Sequence, residues 1–416
     1  MKKYIFLTPN IHPIGGTQKY TAGKAKFLEA EGWQVAVFFS GRSNSGGCVV
    51  KSLEKYTAGW FPEISIPPGN WPAFIRNAVL KNMREQIGDV GEETVIESQA
   101  SGYALWGELL AQILGAKHFC FICNETFRGK DRFYAEYLEY FDFKHKRREL
   151  AGIHPASLPQ LFDSYKQVAP PKRYTFLAAI ESVVQDVNNE NVDAIQCADW
   201  NICYIGRINK GYVPGIIEGV RNFSLLHPDK SIQFIFVGGV KKQSGLIRES
   251  FSGIKNVELV FLGDCVPIPR SLFLKIDVVI AGSGSAICAA QENVLTILAD
   301  AENFKANGVL GIDTANTLYC EDDKEQMSYE EALERVLVRK VYEGKQILIP
   351  TFPPCEYHYR EHFKMIENSE TDSRYYDVIR NKKFSHKPSW IYYRLEWMIK
   401  VIIRRYLSQK TPAERN

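Results

Sequence analysis

Two cations with the types and spacing of a diphosphate-binding pair follow one of the apolar segments of the chain. Arg207 and Lys210 come directly after the run CYIG. An arginine binds phosphate through two parallel hydrogen bonds, and a lysine adds a point charge. The pair therefore predicts an anion site at the carboxyl end of a strand, although arginine and lysine are also common in a solvated turn that binds no ligand.

A loop of small residues further along the chain offers a second anion site. The apolar run DVVIA leads into Gly282-Ser283-Gly284-Ser285, where backbone amides and serine hydroxyls at the start of a helix favour an anion. Glu292 lies seven residues beyond Ser285, about 10 Å along a helix axis. That offset matches the reach from a diphosphate to the ribose of one nucleotide, so Glu292 is either a ribose acceptor or an ordinary glutamate on the helix surface.

A third candidate is the pair Gly15-Gly16 between the first apolar run and the first amphipathic stretch. Adjacent glycines let the backbone approach a ligand closely, and the helix N-terminus behind them favours an anion. A tight turn explains the pair equally well. The dinucleotide fingerprint GxGxxG is absent at this point, which argues against a nicotinamide site.

The elements that must position these residues alternate between strands and helices. Apolar runs such as Tyr4–Leu7 and Val35–Phe39 are separated by the amphipathic stretch Thr17–Ala30, which indicates a βαβ unit. The alternation fades between 151 and 199 and then restarts at CYIG. The pattern predicts two doubly wound α/β domains, and we expect a ligand crevice at the carboxyl ends of their strands, with the domains facing a cleft.

We predict three segments along the chain. Residues 1–190 form a Rossmann-like acceptor-side domain, and residues 191–355 form a Rossmann-like donor domain. Residues 356–416 form a helical basic segment that packs back on the first domain or on a membrane, with an amphipathic helix over Trp390–Leu407.

The bulk composition is that of an ordinary globular protein. In 416 residues, 45% are hydrophobic and 24% charged, which excludes disordered and collagen-like chains. No apolar run is long enough to span a membrane, and the apolar stretch after MKK is too short for a signal peptide. The odd number of cysteines, nine, fits the free thiols of a reducing cytosol. The spacing Cys120-x-x-Cys123 falls in a predicted strand, whose alternation directs the two thiols to opposite faces.

Basic charge is concentrated at one end of the chain. The net charge is +3, but residues 380–416 hold ten lysines and arginines against two acids, so this tail alone carries +8. An anionic partner such as a membrane surface fits this distribution better than a nucleic acid does. The aromatic run Phe133–Phe143 followed by a basic cluster is either a second interfacial segment or a core helix.

Taken in order, these motifs resemble the family-four retaining glycosyltransferases of the GT-B fold. GGTQKYTAGKAKFLEAEGWQVAVF resembles the opening of that family, and YIGRINKGYVPGIIEGV resembles the start of its second domain. The segments FIFVGG, NVELVFLGDC and DVVIAGSGS follow in the family's order. The likeness covers residues 1–40 and 200–320.

This resemblance implies transfer of a sugar with retention of configuration, without a metal or other cofactor. By that likeness Arg207 and Lys210 hold the donor diphosphate, Glu292 binds the ribose, and Gly16 approaches the phosphates from the first domain. We also assign Gly15, Gly284 and Ser285 to donor binding. Catalysis is expected to be electrostatic, with the two cations stabilising the departing nucleoside diphosphate.

The sequence departs from the family pattern in three places. Arginine and lysine are three residues apart instead of five, and the first of the family's paired glutamates falls on Gly284. The histidine often found after the strand FCFIC is missing. Glu125 lies near that point, where it either orients the acceptor as a catalytic residue or is an ordinary loop residue.

The sequence therefore predicts a cytoplasmic glycosyltransferase, peripheral on the inner face of a membrane. It would move a sugar from a nucleotide-sugar to a saccharide or lipid-linked acceptor in surface polysaccharide biosynthesis, with no nucleic-acid partner. A sugar-nucleotide epimerase or phosphorylase remains an alternative, as does a catalytically silent relative.

Overall fold

The computed structural model divides the chain into two compact units. Unit 1 comprises Met1–Ile180 with Pro353–Asn416, and unit 2 comprises Glu181–Phe352. The residues that the structure describes are 1–12, 15–41, 48, 50–91, 93–123, 138–152, 158, 175–176, 184–239, 244–301, 303–315, 325–349, 354–369, 374–379, 395–396 and 398–403.

Unit 1 is built on a seven-stranded parallel sheet. Its strands are β1 Lys2–Thr8, β2 Trp33–Phe39, β3 Thr57–Trp60, β4 Glu93–Ser98, β5 Lys117–Ile122, β6 Leu150–Gly152 and β7 Thr175–Phe176. The spatial order is β3-β2-β1-β4-β5-β6-β7. The order reverses between β1 and β4, which is the arrangement of a doubly wound sheet.

Helices cover both faces of this sheet. They are α1 Gly16–Ala30, α2 Ala73–Ile87, α3 Ser101–Leu114, α4 Leu138–Lys146 and α11 Cys355–Glu367, with single 3₁₀ turns at Lys51–Tyr56, Pro62–Ser65 and Pro68–Asn70. Helix α2 begins after Pro72 and ends at Gly88, whose φ of +70° suits a helix terminus. Helix α3 ends in the same way, at Gly115 with φ +63°.

Two apolar layers sandwich the sheet of unit 1. One layer includes Phe38, Trp106 and Tyr140, and the other includes Phe27 and Phe121. In the second layer α11 packs on α1 through aromatic side chains: the rings of Phe27 and Tyr359 lie 5.5 Å apart. Part of the C-terminal segment thus completes the core of unit 1.

Two ambiguous features of the sequence are resolved by this packing. Cys120 belongs to one apolar layer and Cys123 packs against the other, so the two thiols do face opposite sides, and both are free. In the aromatic run, residues 133–137 lie outside the described residues, but Tyr140 and Phe141 are fully buried. The described part of that run is therefore a core helix and not an interfacial segment.

Unit 2 is a second doubly wound domain. Its six-stranded sheet contains β9 Trp200–Ile205, β10 Ile232–Val237, β11 Val257–Gly263, β13 Val278–Ala281, β14 Thr296–Ala299 and β15 Ala306–Val309, in the order β11-β10-β9-β13-β14-β15. Only the last pairing of this sheet, β14 with β15, is antiparallel. A separate pair joins β8 Val184–Gln185 to β12 Ile268–Pro269.

The helices of unit 2 are mostly short. They are α5 Glu190–Asp193, α6 Val213–Leu226, α7 Ser244–Ser250, α8 Arg270–Phe273, α9 Ser283–Gln291 and α10 Tyr329–Leu333, which continues as a π-helical turn over Glu334–Val338. Side-chain caps fix two of their starts: Asn189 accepts from the amides of Asn191 and Val192, and Ser328 accepts from that of Glu331.

The prediction of two doubly wound α/β domains is confirmed. The helix expected at the small-residue loop begins within that loop, at Ser283, so Ser283, Gly284 and Ser285 form its first turn. Residues 395–396 and 398–403 are helical within the segment predicted as an amphipathic helix. Among the described residues, no helix combines the length and apolarity needed to cross a membrane.

Candidate functional site

The candidate site lies where the strand order of unit 2 reverses. Strands β9 and β13 are neighbours, with Ile205 paired to Ala281, so the chain leaves both strands at adjacent points. The turn that begins at Gly206 and the loop that begins at Gly282 therefore emerge side by side. In doubly wound sheets this reversal point, at the carboxyl ends of the strands, is where ligands bind.

The turn after β9 presents the two predicted cations. The amide of Lys210 donates to the carbonyl of Arg207 over 3.2 Å, and the amide of Val213 donates to that of Lys210 over 3.2 Å. Arg207 is exposed and Lys210 is half-buried. These bonds wind the cations into consecutive turns that lead into α6, so both belong to one short stretch at the edge of the sheet.

A buried tyrosine holds this turn from below. The hydroxyl of Tyr204 donates to the carbonyl oxygen of Arg207 over 2.9 Å. It passes so close to Gly206 that a Cβ there would lie 2.7 Å from the hydroxyl oxygen, so glycine is required. Burial, and next the hydroxyl of Tyr212, raise the pKa of Tyr204 well above its usual value, so the hydroxyl keeps its proton as a donor.

Tyr212 connects this turn to the loop after β13. Its hydroxyl is hydrogen-bonded to that of Tyr204. It also lies 3.3 Å from the point where a Cβ on Gly282 would stand. The two tyrosines thus form a buried polar bridge beneath both loops of the site.

The loop after β13 contains a strained residue. Ser283, the first residue of α9, has φ +56°, in the left-handed region that side chains other than glycine rarely adopt. Ser283, Gly284 and Ser285 are all half-buried. Strain of this kind costs energy and tends to persist at binding sites, and here it opens a helix whose first amides face the carboxyl edge.

Glu292 lies at the opposite end of α9. The helix ends at Gln291, and Glu292 forms its C-terminal cap. Its carboxylate forms an ion pair with Arg270, with Oε2 3.1 Å from Nε, while Arg270 also pairs with Asp186 at 3.3 Å. The residue predicted to bind ribose is therefore engaged in an ion pair through Oε2.

An aromatic side chain that the sequence gave no reason to single out also lies at this edge. Phe304 follows β14, and its ring covers Gly211, where a Cβ would lie 2.6 Å from the ring. The side chain is 42% exposed, and its φ of +62° is again left-handed. Asp300 shapes the turn by accepting from the amide of Asn303 over 2.5 Å. The strained backbone thus holds an exposed ring beside the cationic turn.

The glycines predicted in unit 1 occupy the equivalent reversal point of its own sheet. Gly15 caps α1 in an extended conformation, and Gly16 begins the helix. A Cβ on Gly15 would meet the side chain of Gln18 at 2.6 Å, whereas no atom of the described residues lies within 4 Å of the same position on Gly16. The backbone at Gly16 is therefore open to close approach by another molecule.

A buried ionic cluster supports this part of unit 1. The ammonium of Lys24 lies 2.6 Å from Glu97 and 2.6 Å from Nδ1 of His362, and it donates to Tyr4 and Tyr20. Burial lowers the pKa of Lys24, although Glu97 opposes that effect. This cluster ties α1 to β4 and to α11, and it is sealed from solvent.

A second buried cluster has the connectivity of a hydrolytic triad. The Ser98 hydroxyl lies 3.0 Å from Nε2 of His118, whose Nδ1 lies 2.7 Å from Glu108. All three side chains are buried. Gly107 covers them, because a Cβ there would lie 2.2 Å from the serine oxygen. A substrate has no room at that oxygen, so the cluster serves packing and not catalysis.

The predicted residues thus fall into four groups. Arg207, Lys210, Gly284 and Ser285 come together at the carboxyl edge of unit 2. Glu292 lies one helix length away from them, and Gly15 with Gly16 belongs to unit 1. Glu125 lies outside the described residues. Within the described ranges, no group of three or more His, Cys, Asp or Glu side chains is arranged to hold a metal ion.

Several solved structures share this architecture. A glycosyltransferase from Rickettsia africae aligns over 95% of this chain and 98% of its own, with a TM-score of 0.55 and 12% identity. Anabaena HepE, solved with UDP-glucose, aligns over 91% and 96%, with a TM-score of 0.53 and 13% identity. A Listeria monocytogenes protein assigned as a UDP-N-acetylglucosamine 2-epimerase aligns over 87% and 94%, with a TM-score of 0.51 and 12% identity.

These likenesses show the GT-B fold, with its two Rossmann-like domains, as the sequence motifs implied. No protein-family model and no curated protein sequence matches the chain. Membership of the family-four retaining enzymes therefore stays a prediction.

Proposed function

We propose that this protein is a glycosyltransferase that moves a sugar from a nucleotide-sugar donor to a saccharide or lipid-linked acceptor. One observation carries the proposal: a cationic turn and a strained helix start emerge side by side at the reversal point of unit 2, joined from below by Tyr204 and Tyr212. This combination suits a diphosphate, which needs both fixed positive charge and backbone donors.

The donor would bind along the carboxyl edge of unit 2. Arg207, Lys210 and the first amides of α9 would hold the diphosphate. The exposed ring of Phe304 beside the same turn offers a flat apolar face on which the base stacks. Support for a nucleotide-sugar also comes from the fold, since HepE, which shares it, was solved with UDP-glucose.

Glu292 can accept hydrogen bonds from the ribose, as proposed, if one of its carboxylate oxygens stays available while the other pairs with Arg270. The ribose hydroxyls would donate to Oε1 while Arg270 holds the other carboxylate oxygen. The ion pair then orients the carboxylate, and burial of both groups under the nucleotide would strengthen the pairing.

The proposed chemical step depends on the positive charges of Arg207 and Lys210 beside the diphosphate. The acceptor oxygen forms a bond to the anomeric carbon, the bond from that carbon to the diphosphate oxygen breaks, and the hydroxyl proton leaves with the solvent or the departing phosphate. Negative charge grows on the diphosphate as its bond breaks, so Arg207 and Lys210 stabilise the transition state more than the bound donor. Retention of configuration and independence from metal are part of this proposal.

The acceptor side is assigned to unit 1. The buried cluster of Lys24, Glu97 and His362 favours a rigid surface there. Glu125 remains proposed as the residue that orients the acceptor hydroxyl. A role in surface polysaccharide synthesis, on the cytoplasmic side where nucleotide-sugars are made, completes the proposal.

A sugar-nucleotide epimerase is the second candidate, because the Listeria protein assigned to that activity shares the fold. An epimerase isomerises its donor without any acceptor. Incubation with nucleotide-sugar alone, followed by separation of the sugar isomers, distinguishes the two activities. A silent relative would bind donor and yield neither isomer nor transfer product.

The proposal is tested by calorimetric titration with UDP, GDP and ADP. Wild type should bind at least one of them, and Arg207→Ala should weaken that binding about tenfold or more, since a charge-assisted bidentate contact contributes about 1.5–3 kcal/mol. Arg221→Ala is the matched control, because Arg221 is exposed in the later turns of α6. Failure of wild type to bind any nucleoside diphosphate would refute the proposal.

A further inference from the structure

The helical residues 395–396 and 398–403 present an apolar face to solvent. Leu395, Ile399, Ile402 and Ile403 are each about half exposed, at 50%, 54%, 53% and 49%. Their spacing of i, i+4, i+7 and i+8 gathers them within about 100° of one helix. Four large aliphatic side chains therefore form one continuous outward stripe, which we call the outer stripe.

The same helix is fixed to unit 1 by a different face. Val401 is 2% exposed and belongs to the apolar layer that also contains Trp106, while Met398 packs against that layer. Because these residues hold the helix on the core, the outer stripe is not the unburied side of a loose tail. It faces away from the domain that anchors it.

The positive charge of the segment that contains the outer stripe favours an anionic partner. Residues 380–416 carry a net +8, and the rest of the chain carries −5. Among the described residues of this helix, Lys400 is paired with Glu396 at 2.5 Å, so the excess positive charge comes from residues that flank the helix in the sequence. An apolar stripe within a strongly basic segment is the composition of an interfacial helix.

Other occupants fit this surface less well. A second copy of the chain would bring one +8 tail against another, and the like charges would oppose the contact. A nucleic acid would meet the tail's charge, but isoleucine and leucine cannot donate hydrogen bonds to phosphate or stack on bases as aromatic rings do. Lipid satisfies both features, because acyl chains take up the stripe and anionic headgroups pair with the cations.

Helix α4 shows that basic and aromatic composition alone does not make such a surface. Tyr140 and Phe141 are buried in the core, and Lys144 is 1% exposed and pairs with Glu108 and Glu149. At residues 395–396 and 398–403, in contrast, four large apolar side chains are about half exposed.

We infer that the outer stripe docks the protein on a membrane surface that contains anionic lipid. This inference does not depend on the proposed sugar transfer. If the protein docks on vesicles but binds no nucleotide, the proposed transferase is refuted and the docking surface stands. If it binds a nucleotide but does not dock, the docking surface is refuted and the proposed transferase stands.

Flotation of the full chain with vesicles tests the inference. Wild type should float with phosphatidylcholine vesicles that contain phosphatidylglycerol and not with phosphatidylcholine alone, and high salt should release it. Ile399→Glu combined with Ile402→Glu should reduce the bound fraction at least about tenfold, because the stripe loses apolar area and gains negative charge. Leu274→Glu is the matched control, since Leu274 is 85% exposed in unit 2.

Thermal unfolding and light scattering accompany the flotation. The substituted side chains are half exposed, so the double variant should keep the wild-type melting temperature. If the double variant does not fold, the single variant Ile402→Gln replaces it in the flotation experiment. Absence of wild-type flotation, or equal flotation of wild type and variant, would overturn the inference. So would a wild-type dimer that the double variant converts to monomer, because the stripe would then belong to a protein interface.

Discussion

Replacing Tyr204 with phenylalanine tests whether the turn that contains Arg207 is held in place for a ligand. The change removes one hydroxyl group and keeps the buried ring. That hydroxyl donates to Arg207 over 2.9 Å and is bonded to Tyr212, so its loss breaks two hydrogen bonds and leaves the Tyr212 hydroxyl with one fewer partner. At about 1 kcal/mol for each bond, the free energy of unfolding should fall by about 2 kcal/mol.

The effect on nucleotide affinity is a separate quantity. Without the bond from Tyr204, the carbonyl of Arg207 is free to rotate, and ordering the turn again on binding should cost about 1 kcal/mol, or about fivefold in Kd. Titration calorimetry with the nucleoside diphosphate that binds wild type measures this change. In the proposed site Tyr204 would act through Arg207, as a positioning residue.

Tyr342→Phe is the matched control for this effect. Tyr342 is another buried tyrosine of unit 2, and its hydroxyl donates to Asp313 over 2.6 Å. Asp313 follows the end of β15, which runs antiparallel to β14 and so ends at the opposite edge of the sheet. This variant should lose about as much stability with no change in affinity. Equal losses of affinity in both variants, or none in Tyr204→Phe, would refute the positioning role.

Two further predictions concern residues that sequence patterns did not reveal. Phe304→Ala should weaken binding of the nucleoside diphosphate about tenfold and leave binding of inorganic pyrophosphate unchanged, because the ring is proposed to contact only the base. Calorimetric titration with both ligands measures the two affinities, and an equal loss for both ligands would contradict the prediction. Burial, and next Lys24, hold the pKa of His362 well below its usual value. The unfolded chain therefore binds a proton below about pH 6.5 that the folded chain excludes, so the free energy of unfolding should fall as pH drops from about 7 to 5. In His362→Gln, denaturant unfolding should show a flatter dependence, and an unchanged slope would rule His362 out.

The alternation of strands and helices was readable because parallel strands are buried on both faces. Such strands appear as continuous apolar runs, as in YIFL at β1 and FIFV at β10, and the helices between them keep a helical period. The runs located the carboxyl ends, and with them Arg207 and Ser285. The pairing order of the strands, which brings β9 beside β13, follows from long-range contacts that no local pattern contains.

Residues missed at the site look like ordinary core residues in the sequence. Tyr204 lies within an apolar strand and Tyr212 at the start of a helix, so neither hydroxyl suggests a polar bridge. The left-handed backbone of Phe304 is set by the packing of the loop after β14 and has no signature in residue type. Arg270, the partner of Glu292, begins a different helix, α8, so the sequence gave no sign of this ion pair.

The partners of the buried charged side chains could not be predicted from the sequence either. Lys24 is separated by 73 residues from Glu97, and Lys144 by 36 from Glu108, so each lysine reads as a solvated cation until the fold closes around it. Unpaired burial of either charge would cost several kcal/mol, which makes the partner obligatory once the fold is formed. Sequence reasoning predicts the charge but not the partner.

Gly284 gives the site an electrostatic character different from that of the family it resembles. A glutamate there would stand in the first turn of α9, where a helix N-terminus attracts a carboxylate, and it would compete with the diphosphate for the same amides. With glycine, those amides and the two cations of the turn after β9 meet no negative side chain from this position. In the proposed site the strained Ser283 would set the direction of these amides, so diphosphate binding would depend on the backbone of α9, and contact with the transferred sugar would fall to Ser285 and to that backbone.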